Sequence, residues 1–539
     1  MRNQDSANVY KIGNLDDQMA FIAWVLNIPS SQFDLGKDFL IESNTSFRIL
    51  WKLFSSLLEN TQQYTVVVEN RYIDRVYRDS YYFYYSSKHF NYDRFCKRLC
   101  VFYGSFKKPF YDCTSTELQE IFVGSIVIRP ILDRSISRTL LNPFYFLPKA
   151  QSCHVRLASY TITVYGKKLT VKAFPYSMQD GETTSCAEIT ILNLLDYYSQ
   201  LYPEYHYLLP SEISALVKND TFERTVPTTG LSYELISKVF YDVGFYPRLY
   251  SSEKIEKTKF RHILCYYIES GIPVALGLKI GEENRHSVIA IGRSAINKEK
   301  LKYELTCICG NGDVLWVCDI ANAVDMYYIM DDNKMPYQLN EIISEDNLKL
   351  SLIDFEKRQL PEQFEIEYMM VPLYKRMILE AADAYDICTN ILGNRVLGIQ
   401  QINTEHLSIR SLGKKESPLF IRLFMASSRT FRKVRDEQFR DGNSEVRDLY
   451  NATAFPKFIW VCEITTEYFM LQKRVIGEII IDATSSAESK TDSFIIIHYP
   501  YQIARRMPEN FLIENSYGFE EIKNWSPFKC FNGNLFDNI

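Results

Sequence analysis

The chain has 539 residues, which is too long for a single hydrophobic core, so we expect two to four domains. Its net charge of −5 gives no overall positive field for binding nucleic acid, and no apolar stretch reaches the length of a membrane span. The N-terminus has no apolar core of the signal-peptide type, so we expect a cytoplasmic protein whose 12 cysteines stay reduced.

Residues 1–150 are expected to form an N-terminal region of mixed α/β structure. The sequence FRILWKLFSSLLENT has apolar residues at helical spacing, and YTVVVE, at 64–69, is rich in β-branched residues and predicts a strand. A run of tyrosines mixed with arginine and lysine follows, and such a run can stack on the bases of a single-stranded nucleic acid. Because the chain is acidic overall, we favour an amphipathic core segment and regard nucleic acid as the less favoured partner.

A helix that carries a candidate nucleophile is predicted in the region 151–345. In QDGETTSCAEITILNLLDYY, Ser185 followed by Glu188 is typical of a capping box, which places Cys186 at the first position of the helix. Free backbone N–H groups and the positive end of the helix dipole favour a thiolate there, and the thiolate is the attacking form of cysteine. Most cysteines are small core residues, so this one needs catalytic partners.

A cysteine nucleophile needs a base and a group that orients the base. Among the seven histidines, His286 opens the apolar strand HSVIAIG, from which a side chain can project into a cleft, and His498, in FIIIHYP, is the second choice. Asp331 ends the strand after His286 and is the candidate orienting residue, with Asp332 and Asn333 beside it as alternatives.

The oxyanion that forms when a thiolate attacks a carbonyl needs hydrogen-bond donors. The side-chain amide of Gln179, shortly before the nucleophile, is one candidate donor, and the backbone N–H of Cys186 is the other. The sequence therefore supplies a candidate for each role in a cysteine hydrolase.

The ordered set of Gln179, Cys186 opening a long helix, His286 opening a strand and Asp331 ending the next strand resembles the papain-like cysteine peptidases. It is most similar to the branch that includes the bacteriocin-processing leader peptidases. The resemblance covers residues 160–340 and implies, in that order, the roles of oxyanion donor, nucleophile, base and orienting carboxylate. The flanking regions resemble those of large bacterial proteins with the same core.

Two intervals depart from the family pattern. The spacing between the glutamine and the cysteine is one residue longer than is usual in the family. The interval between His286 and Asp331 is also longer, and an inserted hairpin around CICGNGDVLWVCD would explain it. That longer interval leaves Asp319 or Asp332 as alternative orienting residues.

Residues 346–539 are expected to form an α+β recognition or regulatory domain. EIEYMMVPLYKRMILEAADAYDICTNIL predicts a strand and then a helix, and the segments from FPKFIWVCEITTEYF to SFIIIHYP alternate like antiparallel strands. The whole chain is therefore expected to be of the α+β class. Its central papain-like domain, a cysteine-bearing helix packed on an antiparallel sheet, would lie between mixed α/β flanks.

We expect a cytoplasmic cysteine hydrolase that cleaves a peptide or isopeptide bond in a protein or peptide substrate. As its biological role we expect a bacterial processing or antiviral defence effector that is held inactive until a protein partner activates it. An acyltransferase or deamidase would use the same residues, and a binding scaffold with a papain-like core is the alternative outside the enzymes. No CxxC pair is present, and Cys153 with His154 lacks a second ligand pair at zinc spacing, so the sequence predicts neither a metal site nor a cofactor.

Overall fold

The computed structural model describes residues 8–147, 152–221, 224–282, 284–297, 299–302, 305–310, 313–344, 348–353, 359–399, 412–440, 443–506 and 519–537. Helix accounts for 34% and strand for 33% of the structure, which confirms the predicted α+β class. No helix within these ranges is long and apolar enough to cross a membrane.

The N-terminal region is built on one antiparallel sheet whose five strands lie in chain order. Its elements are β1 (Val9–Ile12), α1 (Leu15–Val25), α2 (Ser30–Phe33), α3 (Lys37–Ser43), α4 (Thr45–Thr61), β2 (Tyr64–Tyr72), α5 (Arg75–Phe83), β3 (Cys96–Tyr103), α6 (Ser115–Ile121), β4 (Phe122–Ile128) and β5 (Ile136–Leu141). The predicted apolar helix and the predicted β-branched strand are confirmed as α4 and β2. The tyrosine-rich run forms the amphipathic helix α5, which buries Tyr77 and exposes Tyr82.

The central region supplies a helix layer and most of a barrel. Its elements are β6 (His154–Val155), β7 (Ala158–Val164), β8 (Lys167–Ala173), α7 (Cys186–Leu201), α8 (Pro210–Val217), α9 (Tyr233–Asp242), β9 (Phe245–Ser251), α10 (Lys257–Glu269), β10 (Val274–Ile280), β11 (Asn284–Arg293), β12 (Thr306–Gly310), β13 (Asp313–Asp319), β14 (Met326–Met330), β15 (Gln338–Ser344), β16 (Leu348–Ile353) and β17 (Gln359–Tyr374). Strand β10 pairs with both β17 and β11, so these three strands and β14, β15 and β16 close into an antiparallel barrel.

The helix α7 lies against the barrel strand β11. The Thr190 hydroxyl of the helix donates to Ser287 Oγ of the strand at 3.0 Å, in a buried contact. Because Ser287 directly follows His286, this contact fixes the candidate base relative to the helix that carries the candidate nucleophile. The helix is buried along most of its length, since it lies between the barrel and the neighbouring helices.

The barrel continues past residue 345, where the sequence suggested a domain boundary. Strands β16 and β17 lie beyond that point and pair within the same sheet as β10. Conversely, β12 and β13 belong to the central region in sequence but form part of the C-terminal sheet. In that sheet, β13 pairs in parallel with the C-terminal strand that begins at Leu419. The chain therefore crosses between the two sheets more than once.

The elements of the C-terminal region are α11 (Ala381–Leu392), β18 (Leu419–Ser427), α12 (Ser428–Phe439), α13 (Ser444–Ala452), β19 (Phe458–Thr465), α14 (Glu467–Leu471), β20 (Arg474–Val475), β21 (Gly477–Asp482), β22 (Phe494–Tyr499), β23 (Gln502–Arg505), β24 (Glu520–Glu521), β25 (Phe528–Lys529) and β26 (Phe536–Asp537). This region adds a sheet of eight strands, in the order β12-β13-β18-β19-β21-β22-β23-β24. Strand β26 returns to pair with β6, at the edge of the barrel sheet. The C-terminal residues thus also support the sheet that carries His286.

Candidate active site

Cys186 is the first residue of α7, as the capping pattern predicts. The Ser185 backbone N–H donates to Glu188 Oε2 at 3.0 Å, and the Ala187 N–H donates to Ser185 Oγ at 3.3 Å, which confirms the capping box. Glu188 Oε1 also accepts the Thr228 hydroxyl at 2.7 Å. The Cys186 side chain is partly exposed, so a substrate can reach the sulfur while the capped helix holds its backbone in place.

The loop that leads into Cys186 is organised by Asp180, which the sequence did not single out. Asp180 Oδ1 accepts the backbone N–H groups of Glu182, Thr183 and Thr184 at 2.9, 2.7 and 2.9 Å. Its other oxygen lies 3.8 Å from Arg129 Nη1, and both side chains are buried. Burial raises the pKa of Asp180, but the Arg129 charge and these hydrogen bonds outweigh burial and lower it. Asp followed by Gly-x-Thr is the available signal, because Asp side chains accept from N–H groups two or three residues on.

His286 and Asp331 meet across two paired strands of the barrel. His286 Nε2 lies 2.9 Å from Asp331 Oδ1, and the histidine is buried. Asp331 directly follows β14, whose last residue, Met330, is opposite Ile289 of β11. The same carboxylate oxygen accepts the Asn333 N–H at 2.9 Å. The register between β11 and β14 therefore places the Asp331 carboxylate within hydrogen-bond distance of the His286 imidazole.

The other ring nitrogen of His286 is left for Cys186. Burial by itself would lower the pKa of His286, but hydrogen bonds to Asp331 and to Cys186 raise that pKa well above its usual value, and the charges of Asp331 and Asp332 add to the rise. Burial would raise the pKa of Asp331, and its hydrogen bond to His286 lowers it. The structure thus brings the predicted cysteine, histidine and aspartate into one chain of contacts that favours a protonated imidazole.

Gln179 lies in the same cluster, but its amide contacts an asparagine. Gln179 Nε2 donates to Asn333 Oδ1 at 3.3 Å. A primary amide has two N–H donors, so this contact leaves one for a substrate oxygen. Asn333, which the sequence offered as an orienting group for the base, therefore orients Gln179 instead. The role of Gln179 as oxyanion donor stays a prediction.

Tyr233, at the start of α9, hydrogen-bonds to the backbone of β11 at His286. Its hydroxyl donates to the His286 carbonyl oxygen at 3.2 Å. Burial raises the pKa of Tyr233 well above its usual value, and a nearby Cys186 charge adds to the rise, so the phenol is neutral beside the nucleophile. The ring fits only because residue 277 is glycine, since a Cβ there would lie 2.1 Å from Tyr233 Cζ. No local pattern in the sequence announces this contact.

The tyrosine-rich N-terminal run packs against the loop that leads into Cys186. The Tyr84 hydroxyl donates to Glu182 Oε2 at 2.5 Å, and Lys88 Nζ donates to Glu182 Oε1 at 3.0 Å. Thr183 Oγ1 also lies 2.9 Å from Ser80 Oγ, within hydrogen-bond distance, in a buried contact. Two of the three residues before Ser185 are therefore held by the N-terminal region, which sequence reasoning had treated as a separate unit.

Two residues that the sequence offered as alternatives lie elsewhere. Asp319 accepts the Tyr266 hydroxyl and the Ala321 N–H and lies 3.9 Å from His262, so it belongs to another cluster. His498 is buried in the C-terminal sheet, where its Nδ1 lies 3.1 Å from the Tyr450 hydroxyl. Burial lowers the pKa of His498 to about 3, and a nearby arginine charge adds to the effect, so this imidazole stays neutral.

Asp332, the remaining alternative, also approaches the base. Its Oδ1 lies 3.6 Å from His286 Nε2, and its side chain is only 3% exposed. Burial raises the pKa of Asp332 to about 7 and the Asp331 charge adds to the rise, while His286, Arg134 and the Gln179 N–H oppose it. Within the described ranges, His286, Asp331 and Asp332 are the one group whose potential metal-ligand atoms lie within 4.8 Å of one another.

No family model matches the sequence, and no curated protein matches it significantly. The chemistry of the site is therefore inferred from its own atoms. A thiol on a capped helix, an imidazole that holds a proton beside it and a carboxylate on the far ring nitrogen make up a nucleophile, a base and an orienting group. Such a set can attack a carbonyl carbon and protonate the group that leaves it.

Proposed function

We propose that the protein is a thiol hydrolase that cleaves a peptide or isopeptide bond through an acyl-enzyme intermediate. The observation that carries this proposal is the continuous contact from Cys186 through His286 to Asp331, with 2.9 Å between the last two. The position of Cys186 at the start of a helix packed on an antiparallel sheet also supports it, as does the order of the residues along the chain, which is that of the papain-like peptidases.

The proposed first step forms the acyl-enzyme. The Cys186 sulfur attacks the substrate carbonyl carbon, and the carbonyl electron pair moves to the oxygen. The backbone N–H of Cys186 and the free amide N–H of Gln179 are the donors for that oxyanion. When the tetrahedral intermediate collapses, the C–N bond breaks and the amine leaves with the proton of His286, which Asp331 has stabilised.

The second step releases the acid. Water attacks the thioester carbonyl while His286 takes one of the water protons, and the C–S bond then breaks to return the Cys186 sulfur. If an amine takes the place of water, the same acyl-enzyme gives acyl transfer. Adding a primary amine to the reaction separates the two outcomes, because an acyltransferase yields an amide and a hydrolase yields the acid.

Thiol labelling tests the proposal. Intact-mass measurement with limiting iodoacetamide from pH 5 to 8 compares wild type with Cys186→Ala and His286→Ala, in buffer containing EDTA. We expect one fast site that disappears in Cys186→Ala and slows at least tenfold in His286→Ala at pH 6, because the imidazolium no longer stabilises the thiolate.

The matched control is Cys307→Ala, since Cys307 is exposed but lies outside the site. Its removal should leave the fast site unchanged. Labelling that follows exposure alone, with Cys307 ahead of Cys186 and no effect of the histidine substitution, would contradict the proposal and favour a binding scaffold.

A further inference from the structure

We propose that His286, Asp331 and Asp332 also form a binding site for one divalent transition-metal cation, such as zinc, and that the bound cation switches the thiol chemistry off. The binding site stands on these three side chains alone. The loss of activity rests on the proposed function, and the two parts are tested separately below.

Asp332 is the residue that points to a cation. Both of its oxygens are buried, and no N–H or O–H group of the described residues hydrogen-bonds to either one. The Gln179 backbone N–H faces the carboxyl and lowers its pKa without reaching hydrogen-bonding geometry. A buried carboxyl without hydrogen bonds is unfavourable, and a proton on it would be a donor that also needs a partner. A dication would satisfy the charge and the oxygen together.

The spacing of the three ligand atoms suits a small cation. Two ligands that each lie about 2.0–2.1 Å from a tetrahedral metal ion are about 3.3 Å apart. The distances from His286 Nε2 are 2.9 Å to Asp331 Oδ1 and 3.6 Å to Asp332 Oδ1, which lie on either side of that value. The atoms of the two carboxylates are within 4.8 Å of each other. Small side-chain shifts would therefore bring all three atoms onto one ion.

The types of ligand select the class of cation. One imidazole nitrogen and two carboxylates suit zinc and other transition-metal ions, whereas magnesium prefers six oxygen ligands in octahedral geometry. The two aspartates are adjacent and face the same imidazole, so their negative charges repel each other, and a dication offsets this repulsion more fully than the single charge of an imidazolium. Zinc-binding patterns of cysteine and histidine pairs do not indicate this site, because its ligands are one histidine of β11 and two aspartates that follow β14.

Occupancy of the site would stop the proposed catalysis through His286. The cation takes the lone pair of Nε2, and the proton on that nitrogen leaves for solvent, as does a proton held by Asp332. The imidazole then carries one proton, on Nδ1, and can no longer become the imidazolium that protonates the leaving amine. The Cys186 thiolate also loses its positively charged neighbour. Apart from these protons, no covalent bond of the protein is made or broken, so removal of the cation and return of the protons from solvent restore the site.

Calorimetric titration of the full chain with zinc at pH 7.5 tests the binding site, in the Cys186→Ala background so that the nucleophile cannot serve as a ligand. We expect the affinity measured in Cys186→Ala to fall at least tenfold when Asp332→Asn is added, because one of three protein ligands is lost. Magnesium should not bind to this site. Asp325→Asn is the matched control, since Asp325 is a buried aspartate paired with Lys300 and should not affect zinc binding.

Three results would overturn the inference. They are equal zinc affinity with and without Asp332→Asn, loss of zinc binding on Cys186→Ala alone, and an equal effect of Asp325→Asn. Circular dichroism checks that each variant folds. If Asp332→Asn does not fold, His286→Ala in the Cys186→Ala background takes its place and must weaken zinc binding at least tenfold, or the inference fails.

A separate experiment tests the switch. Zinc should slow iodoacetamide labelling of Cys186 at least tenfold in wild type, EDTA should restore the rate, and Asp332→Asn should shift the zinc concentration needed upward by at least tenfold. Zinc that binds without slowing the labelling would overturn the switch. A wild-type protein with no fast thiol would refute the proposed function, while the calorimetry would still decide the binding site.

Discussion

The role of Asp331 can be tested by a single change of charge. Asp331→Asn keeps the size of the side chain and its ability to hydrogen-bond, but removes the negative charge 2.9 Å from His286 Nε2. A hydrogen bond to a charged group contributes about 1.5–3 kcal/mol. That energy corresponds to a factor of about 10–100 in the equilibrium that keeps His286 protonated, so the pKa of His286 should fall when the charge is removed.

The sign of the effect follows from the thiolate–imidazolium pair. The pair exists only while His286 holds its second proton, so a lower histidine pKa reduces the ratio of thiolate to thiol at pH 6 by about 10–100-fold. Iodoacetamide labelling of Cys186 from pH 5 to 9, followed by intact mass in buffer with EDTA, measures this ratio directly.

The control is Asp319→Asn, which removes the alternative orienting residue. Asp319 contacts Tyr266 and lies near His262, away from His286, so its replacement should not change the labelling of Cys186. Thermal unfolding checks that both variants are folded. An Asp331→Asn protein that labels as fast as wild type at pH 6, or an Asp319→Asn protein that labels as slowly as Asp331→Asn, would refute the assignment of Asp331.

Two substitutions test the support of the site. Asp180→Ala should lower the free energy of unfolding by about 3 kcal/mol, because three backbone N–H groups and a buried charge lose their partner. Glu182 is half-exposed, so Glu182→Ala should lower that free energy by less than about 1 kcal/mol. Urea unfolding measures both variants, and equal effects would contradict the role of Asp180. Gly277→Ala should displace Tyr233, destabilise the protein by about 1–3 kcal/mol and slow the labelling of Cys186. Gly13→Ala is the control, because a Cβ there meets open space, and it should change neither the stability nor the labelling. A Gly277→Ala protein with unchanged stability and labelling would show that the Tyr233 ring does not support the base.

Local signals in the sequence were sufficient for the helix that begins at Cys186. The capping box joins residues three positions apart, so Ser185 and Glu188 can be recognised without knowledge of the fold. The strand that starts near His286 was also predicted from its run of apolar residues. In each case the interaction that defines the element lies within a few residues along the chain.

Contacts across the sheet decided which residues meet. Asp319 ends one strand, and Asp331 and Asp332 follow another, so their positions in the sequence are similar. Only the register between β11 and β14 places Asp331 at 2.9 Å from His286 and Asp332 at 3.6 Å. The barrel that fixes this register needs β17, which lies well beyond the predicted boundary of the central region. A sequence pattern gives the faces of a strand, but it does not specify the partner of that strand.

The sequence by itself thus determined the α+β class, the capped helix and the residue types available for thiol chemistry. Only the tertiary structure decided that Asp180 holds the loop before Cys186, that Tyr84 and Lys88 of the N-terminal region clamp that loop, and that His498 is excluded from the site. The physical reason is distance along the chain: caps and turns close within a few residues, whereas these contacts join segments far apart in sequence that meet only when the sheets and helices pack.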